Sequence, residues 1–165
     1  MDLTVNQGDT LQGLFFNYLK DKNLRNTAER TAIFASVSKT TDPFTLESIR
    51  QQLEDINFHV SRASVYNTIE LLLDANIVVR HQFTNSVVHY ELKHIAEQYN
   101  YVICTQCSTI RKIKNDKCKK IFATYKIPKF TLDHYSLQFY GICSKCKFRL
   151  AQKEKKTHNT QKNKQ

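Results

Sequence analysis

Residues 61–92 read SRASVYNTIELLLDANIVVRHQFTNSVVHYEL. Ser61 stands where a helix N-cap belongs, because its hydroxyl can accept an amide hydrogen that the first turn leaves unpaired. Val65, Ile69, Leu72 and Leu73 follow at helical spacing and form one apolar face. The pattern changes after residue 76. IVVRHQF (77–83) and SVVHYEL (86–92) are rich in β-branched and aromatic residues, with Thr84 and Asn85 between them. Asn suits a tight turn, so the two runs read as a hairpin. A helix leading straight into a hairpin is the second half of a winged helix-turn-helix.

The preceding residues supply the first half. Leu11, Leu14, Phe15 and Leu19 mark a helix over about 10–21. Thr27 caps a second helix, with Glu29 in its first turn and Ala28, Ile33, Phe34 and Val37 on its apolar face. Asp42-Pro43 breaks the chain, and Thr45 caps a short helix carrying Leu46, Ile49 and Leu53. On the helix from Ser61, Arg62 and Tyr66 lie four residues apart on one side, among Ser61, Ala63, Ser64 and Asn67. Short side chains permit close approach to a major groove, where Arg can bond guanine and Asn adenine. A solvated helix face has the same composition, and it is the helix-turn-helix before it and the wing after it that favour DNA. Arg25, Arg30, Arg62 and Arg80 must then gather on one side for phosphate contacts.

A second unit begins near Asn100. YVIC is a short strand ending in Cys104-Thr-Gln-Cys107, IRKI (110–113) is another, and residues 115–126 form a basic helix ended by Pro128. Residues 130–140 alternate as a strand, and Cys143-Ser-Lys-Cys146 follows on a turn that Gly141 permits. Two Cys-x-x-Cys knuckles supply four thiolates, the closed tetrahedral shell of structural Zn²⁺. Such a shell leaves no position for water, so it is not hydrolytic. The alternative is four buried or redox cysteines, although thioredoxin-like chemistry uses one pair in a βαβ setting. Cys118 lies in the basic helix at no ligand spacing, as an inert thiol or a sensing one.

Length and charge bound the rest. A chain of 165 residues accommodates two small domains. The expected division is a winged-helix domain at 1–92, a hinge at 93–99, a zinc-containing α/β dimerisation domain at 100–150, and a disordered basic tail at 151–165. The fold class is α+β. Net charge is +10, concentrated toward the C-terminus, while residues 1–92 are slightly acidic. No apolar run approaches the ~20 residues of a membrane span, and no secretory signal is visible, so the expectation is a cytoplasmic protein with no membrane partner. A thiol-rich chain in a reducing compartment points to metal binding over disulfides. Neither a Ser/His/Asp arrangement nor a phosphate loop occurs, which argues against an enzyme.

With these residues in place, the sequence resembles the Fur (ferric uptake regulator) family. The similarity covers roughly residues 10–148 and rests on LRNTAERTAIF (24–34), RASVYNTIELLLDANIV (62–78), VVHYEL (87–92), YVICTQC (101–107) and YSLQFYGICSKC (135–146). The resemblance implies a homodimeric DNA-binding regulator, expected to be a repressor, with a palindromic operator and structural zinc in the cysteine pairs. It also implies a second, regulatory metal at the hinge. By the same resemblance, Tyr66 is the recognition-helix tyrosine, Arg25 and Arg30 approach DNA, and Glu91 ligates the regulatory metal.

Several positions depart from the family pattern. Gln98-Tyr99-Asn100-Tyr101 replaces a His-rich stretch, and Pro43 or a neighbour, Lys112 and Tyr135 stand where the resemblance leads one to expect His, Glu and His ligands. Tyr, Asn and Lys are poor ligands for Fe²⁺ or Mn²⁺. What remains for a rearranged second site is Glu91, His94 and His134, with His89 nearby. The alternatives are haem, for which Tyr99, Tyr101, His94 and Cys118 are candidate ligands, or no effector beyond zinc. A zinc-stabilised protein-interaction module is the competing reading from another functional class.

Overall fold

The computed structural model describes residues 7–83, 87–114, 116–131 and 135–162, with side chains at 7–10, 116, 118, 119, 123 and 154–162 outside the description. The chain divides into two compact units between Gln98 and Tyr99.

Unit 1 runs α1 (Gln7–Asp21), α2 (Ala28–Val37), α3 (Leu46–Glu54), α4 (Arg62–Asp74), β1 (Val78–His81), β2 (His89–Leu92) and a one-turn α5 (Lys93–Ala96). Each expected cap forms: Thr27 accepts from the Arg30 amide at 3.3 Å, and Ser61 from the Ser64 amide at 3.0 Å. Thr45 and Ser48 bond reciprocally as a capping box. Asn23, Asn57 and Asn76 end α1, α3 and α4 at φ values of 55°, 56° and 59°. Asn tolerates this left-handed conformation better than most residues, and it closes the last turn.

Phe15, Leu19, Ile33, Phe34, Ile49, Leu53, Val65, Ile69 and Leu72 form the centre of the core. Phe15 stacks on Phe34 at 5.4 Å. β1 and β2 pair antiparallel, Val78 opposite Leu92 and His81 opposite His89. Phe44 adds a bridge that the sequence did not signal, exchanging both backbone bonds with Tyr90 at 2.7 and 2.8 Å. The expected turn at Thr84-Asn85 lies outside the described residues.

Of the expected hinge 93–99, residues 93–98 group with unit 1 and Tyr99 opens unit 2. The Lys93 amide bonds the Ile77 carbonyl at 2.9 Å and Ile95 packs on the unit 1 core, so the chain stays attached through α5. The apolar pull of Ile95 extends unit 1 beyond the hairpin.

Unit 2 runs β3 (Tyr99–Cys104), β4 (Ile110–Lys114), α6 (Asp116–Ala123), β5 (Gln138–Gly141) and α7 (Ser144–Lys162). The strand order is β4-β3-β5, with β4 antiparallel and β5 parallel to β3. A parallel neighbour requires a crossover, which β4, α6 and the chain after it supply. α6 ends at Ala123, before the expected 126, and the long alternating strand shortens to β5. The Lys-rich stretch from Ala151, expected to be disordered, continues α7 to Lys162. AQKEKK consists of good helix formers, and the helix is already nucleated beside the second knuckle. No helix among the described residues is long and apolar enough to cross a membrane.

Candidate functional site

The parallel register of β3 and β5 builds the metal centre. It sets Cys104 opposite Gly141, and the Gly141 carbonyl accepts from the Thr105 amide at 2.8 Å. Gly141 therefore acts as a strand partner, without the left-handed turn expected of it. The first knuckle turns through Ser108, whose amide bonds the Cys104 carbonyl at 2.8 Å with φ at 56°. The second enters α7, so Cys146 lies in that helix's first turn. As a result the four ligand sulfurs of Cys104, Cys107, Cys143 and Cys146 all lie within 4.8 Å of one another.

Tetrahedral geometry with Zn–S of about 2.3 Å places sulfurs about 3.8 Å apart. Cys107 Sγ and Cys143 Sγ are 3.8 Å apart. All four cysteines are free thiols, and Cys104 and Cys146 are buried. The Cys143 amide donates to Cys104 Sγ at 3.3 Å, and the Arg149 guanidinium donates to Cys146 Sγ at 3.4 Å. Thr109 Oγ1 lies 3.1 Å from Cys107 Sγ. These donors favour thiolates. The amide of Cys143 is the main cause that lowers the Cys104 thiol to about 6, and the Thr109 hydroxyl lowers Cys107. Burial pushes Cys146 up to about 12. A divalent cation is what allows four adjacent sulfurs to carry charge together, and the donor set fits zinc.

The residues expected to face DNA divide. Arg62, Ala63, Tyr66 and Asn67 are exposed on α4, while Val65, Thr68, Ile69 and Leu72 face inward. Ser64 is half-buried and its hydroxyl lies 2.9 Å from that of Ser61, so it serves the cap. The Arg30 guanidinium donates to the Arg25 carbonyl, which draws these two residues together. Arg80 instead pairs with Glu70 of α4 at 2.7 Å and lies over the Tyr90 ring, so its charge is already answered within unit 1.

Among the described residues, the expected second-metal residues form no cluster of three ligands. Glu91 bonds His81 at 3.0 Å, Oε2 to Nε2, with both side chains buried. Sequence reading passed over His81. The signal was present in the pairing: Glu91 faces Val79, so His81, two residues along, falls on the same side of the hairpin. His89 is opposite His81, and Phe83 packs against both rings at 5.0 and 5.4 Å. His94 sits on α5 and His134 lies outside the described residues.

Among the described residues, the four cysteines form the one cluster of three or more metal-ligating groups. Lys112 lies with its ammonium 5.1 Å from the centroid of the Tyr99 ring, and Tyr135 packs on Phe122. Tyr101 is buried in β3, and the Cys118 side chain lies outside the description. A cavity of about 210 Å³ lies beside Cys104 and Cys143, lined also by Arg111, Phe139 and Tyr140, and none of the candidate haem ligands lines it.

A capped helix with a wing, in one chain with a four-cysteine α/β unit, defines a winged-helix protein with a candidate zinc centre. The sequence profile of the Ferric uptake regulator family matches residues 21–140. The Ferric uptake regulation protein of Vibrio parahaemolyticus is 28% identical over 131 residues, covering 76% of this chain and 85% of that protein. The Ferric uptake regulation protein of Campylobacter jejuni is 26% identical over 141 residues, covering 84% and 89%. Among solved structures, the Helicobacter pylori ferric uptake regulator, described as having three functional metal binding sites, superposes with a TM-score of 0.66 at 17% identity. That match covers 85% of this chain and 93% of the other. The chain belongs to the ferric uptake regulator family, whose members are transcription regulators and not enzymes.

Proposed function

We propose that this chain is a cytoplasmic, homodimeric repressor that holds one structural zinc and occupies a pseudo-palindromic operator. The observation that carries the reading is α4: capped at Ser61, buried along one side, and presenting Arg62, Tyr66 and Asn67 on the other. Arg62 is assigned to base edges, Tyr66 to packing on bases, and Asn67 to a neighbouring edge or phosphate. Arg25 and Arg30 contribute phosphate contacts. A second copy suits unit 2, because β5 is an edge strand with Phe139 and Tyr140 about half exposed and Ile142 following. Such an edge is a template for pairing. A dimer in turn accounts for operator symmetry.

The regulatory input differs from a ferrous switch in this reading. Glu91 is held by His81, and Lys112 carries a positive charge where a cation-binding carboxylate is expected. DNA binding therefore proceeds with zinc alone.

The test is selection of duplexes from a random pool by the purified protein, with metal content measured on the same sample. One zinc per chain, a palindromic consensus, and affinity unchanged by added Fe²⁺ or Mn²⁺ is the expected result. Equal binding to all sequences would favour a protein-interaction module, and a second bound metal that tightens binding would restore the metal switch.

A further inference from the structure

Charge is divided unequally between the two units. Residues 1–98 hold nine Lys/Arg against twelve Asp/Glu, a net −3, and residues 99–165 hold sixteen against three, a net +13. Unit 1, which carries the recognition helix, also spends cations internally: Arg50 bonds Glu47 and Glu54, and Arg80 bonds Glu70. Phosphate neutralisation supplies most of the affinity in non-specific DNA binding and a large share in specific binding. A net-acidic unit is poorly equipped to provide it.

The surplus is presented on α7. Lys145, Lys147, Arg149 and Lys153 are all exposed. Lys145, Arg149 and Lys153 recur every fourth residue, so they line one side of the helix over about 12 Å. The 19-residue helix is about 28 Å long, the length of about eight base-pair steps. Its start is anchored by the knuckle, and Arg149 is itself bonded to Cys146 Sγ. The basic side is therefore held by the metal centre.

A lipid surface is the less suitable polyanion. Membrane-surface helices need one continuous apolar side. Phe148 and Leu150, the large exposed apolar residues of α7, are two positions apart and so point to roughly opposite sides of the axis.

We propose that the basic side of α7 is a second, sequence-independent DNA-contacting surface, which neutralises phosphates of a duplex while α4 reads bases. It rests on the DNA-binding reading above. Lysine ammonium groups on phosphate position the protein without discriminating sequence.

The test uses the full chain and a mixed-sequence duplex, with affinity measured by fluorescence anisotropy between about 50 and 200 mM salt. Each lost phosphate contact lowers the slope of log affinity against log salt by about 0.9. A K145Q/R149Q/K153Q variant should lose about 2.7 from that slope, so the unaltered protein should fall about forty-fold further in affinity across the range. A charge-matched K114Q/K126Q/K129Q variant should change the slope little. Zinc content, one per chain, verifies that each variant is folded. If the triple variant loses zinc, K153Q alone, beyond the knuckle, carries the test with a change of about 0.9.

Equal slopes for the unaltered protein and the α7 variant would overturn the proposal. Arg62→Ala, by still weakening binding to a selected duplex, would show that the DNA-binding reading survives. An equal drop in the charge-matched variant would replace α7 by a diffuse field and overturn the assignment. Capture by anionic phospholipid vesicles with no DNA slope change would move the surface to a lipid partner and also overturn it. No duplex binding by the unaltered protein would defeat both readings.

Discussion

Replacing Cys143 with Ser should unfold unit 2 and leave unit 1 standing. Among the described residues of unit 2, the buried apolar side chains are Tyr101, Ile103, Cys104 and Cys146, and two of these are ligands. Burying Tyr101 and Ile103 yields about 1.5–3 kcal/mol each. Fixing the backbone costs about 1–2 kcal/mol per ordered residue, so this small core cannot hold three strands and two helices in place. Structural zinc supplies about 10–16 kcal/mol in small metal-dependent folds, enough to decide the balance. Cys143 Sγ stands 3.8 Å from Cys107 Sγ, a tetrahedral edge, and serine there opens the shell. Unit 1 has, among the described residues, its own core of sixteen buried residues, and it should stay folded without zinc.

Hydrogen exchange read by mass spectrometry separates the two outcomes. Peptides from β3, β5 and α7 should exchange as unfolded chain in the variant, or in the parent protein after chelation, while peptides from α2, α3 and α4 stay protected. Protected β3 and β5 peptides at zero measured zinc would refute the reasoning, as would one zinc retained by the variant.

Four further outcomes are expected. Ile69→Ala, at a fully buried position, should cost about 2–5 kcal/mol in urea unfolding. Ser61→Ala should cost about 1 kcal/mol through the lost bond to the Ser64 amide, and it should weaken binding to a selected duplex. Arg62→Ala should weaken that binding by about 1–3 kcal/mol with no change in the unfolding midpoint, since the side chain is exposed. Burial, the largest cause, pushes the His89 imidazole below its ordinary value, so the folded state prefers it neutral. The unfolded chain binds that proton more readily, so its contribution is full above about pH 6.5 and falls as pH drops. His89→Gln should flatten the loss of stability between about pH 7 and 5 in chemical denaturation series.

Local chemistry made much of this protein legible from its residues. Thr27, Thr45 and Ser61 announce their helices because a hydroxyl beside a helical start bonds amides only a few positions away. The apolar spacing of α4 names its buried side, and the remaining positions are then its exposed side. The two Cys-x-x-Cys pairs name zinc because each knuckle is a local device, complete within four residues.

Other features depend on which segments meet. The bridge of Phe44 to Tyr90 spans a helix-turn-helix, and no pattern near Phe44 marks it. That Arg80 pairs with Glu70, ten residues back, is set by where β1 packs on α4. That Glu91 meets His81 follows from hairpin register. The union of the knuckles, separated by more than thirty residues, is decided by the parallel register of β3 and β5. Caps, periods and knuckles follow from neighbours along the chain, so the sequence alone determined them. Ion pairs, strand register and the closing of four sulfurs around one point depend on distances through space, which only the folded chain decides.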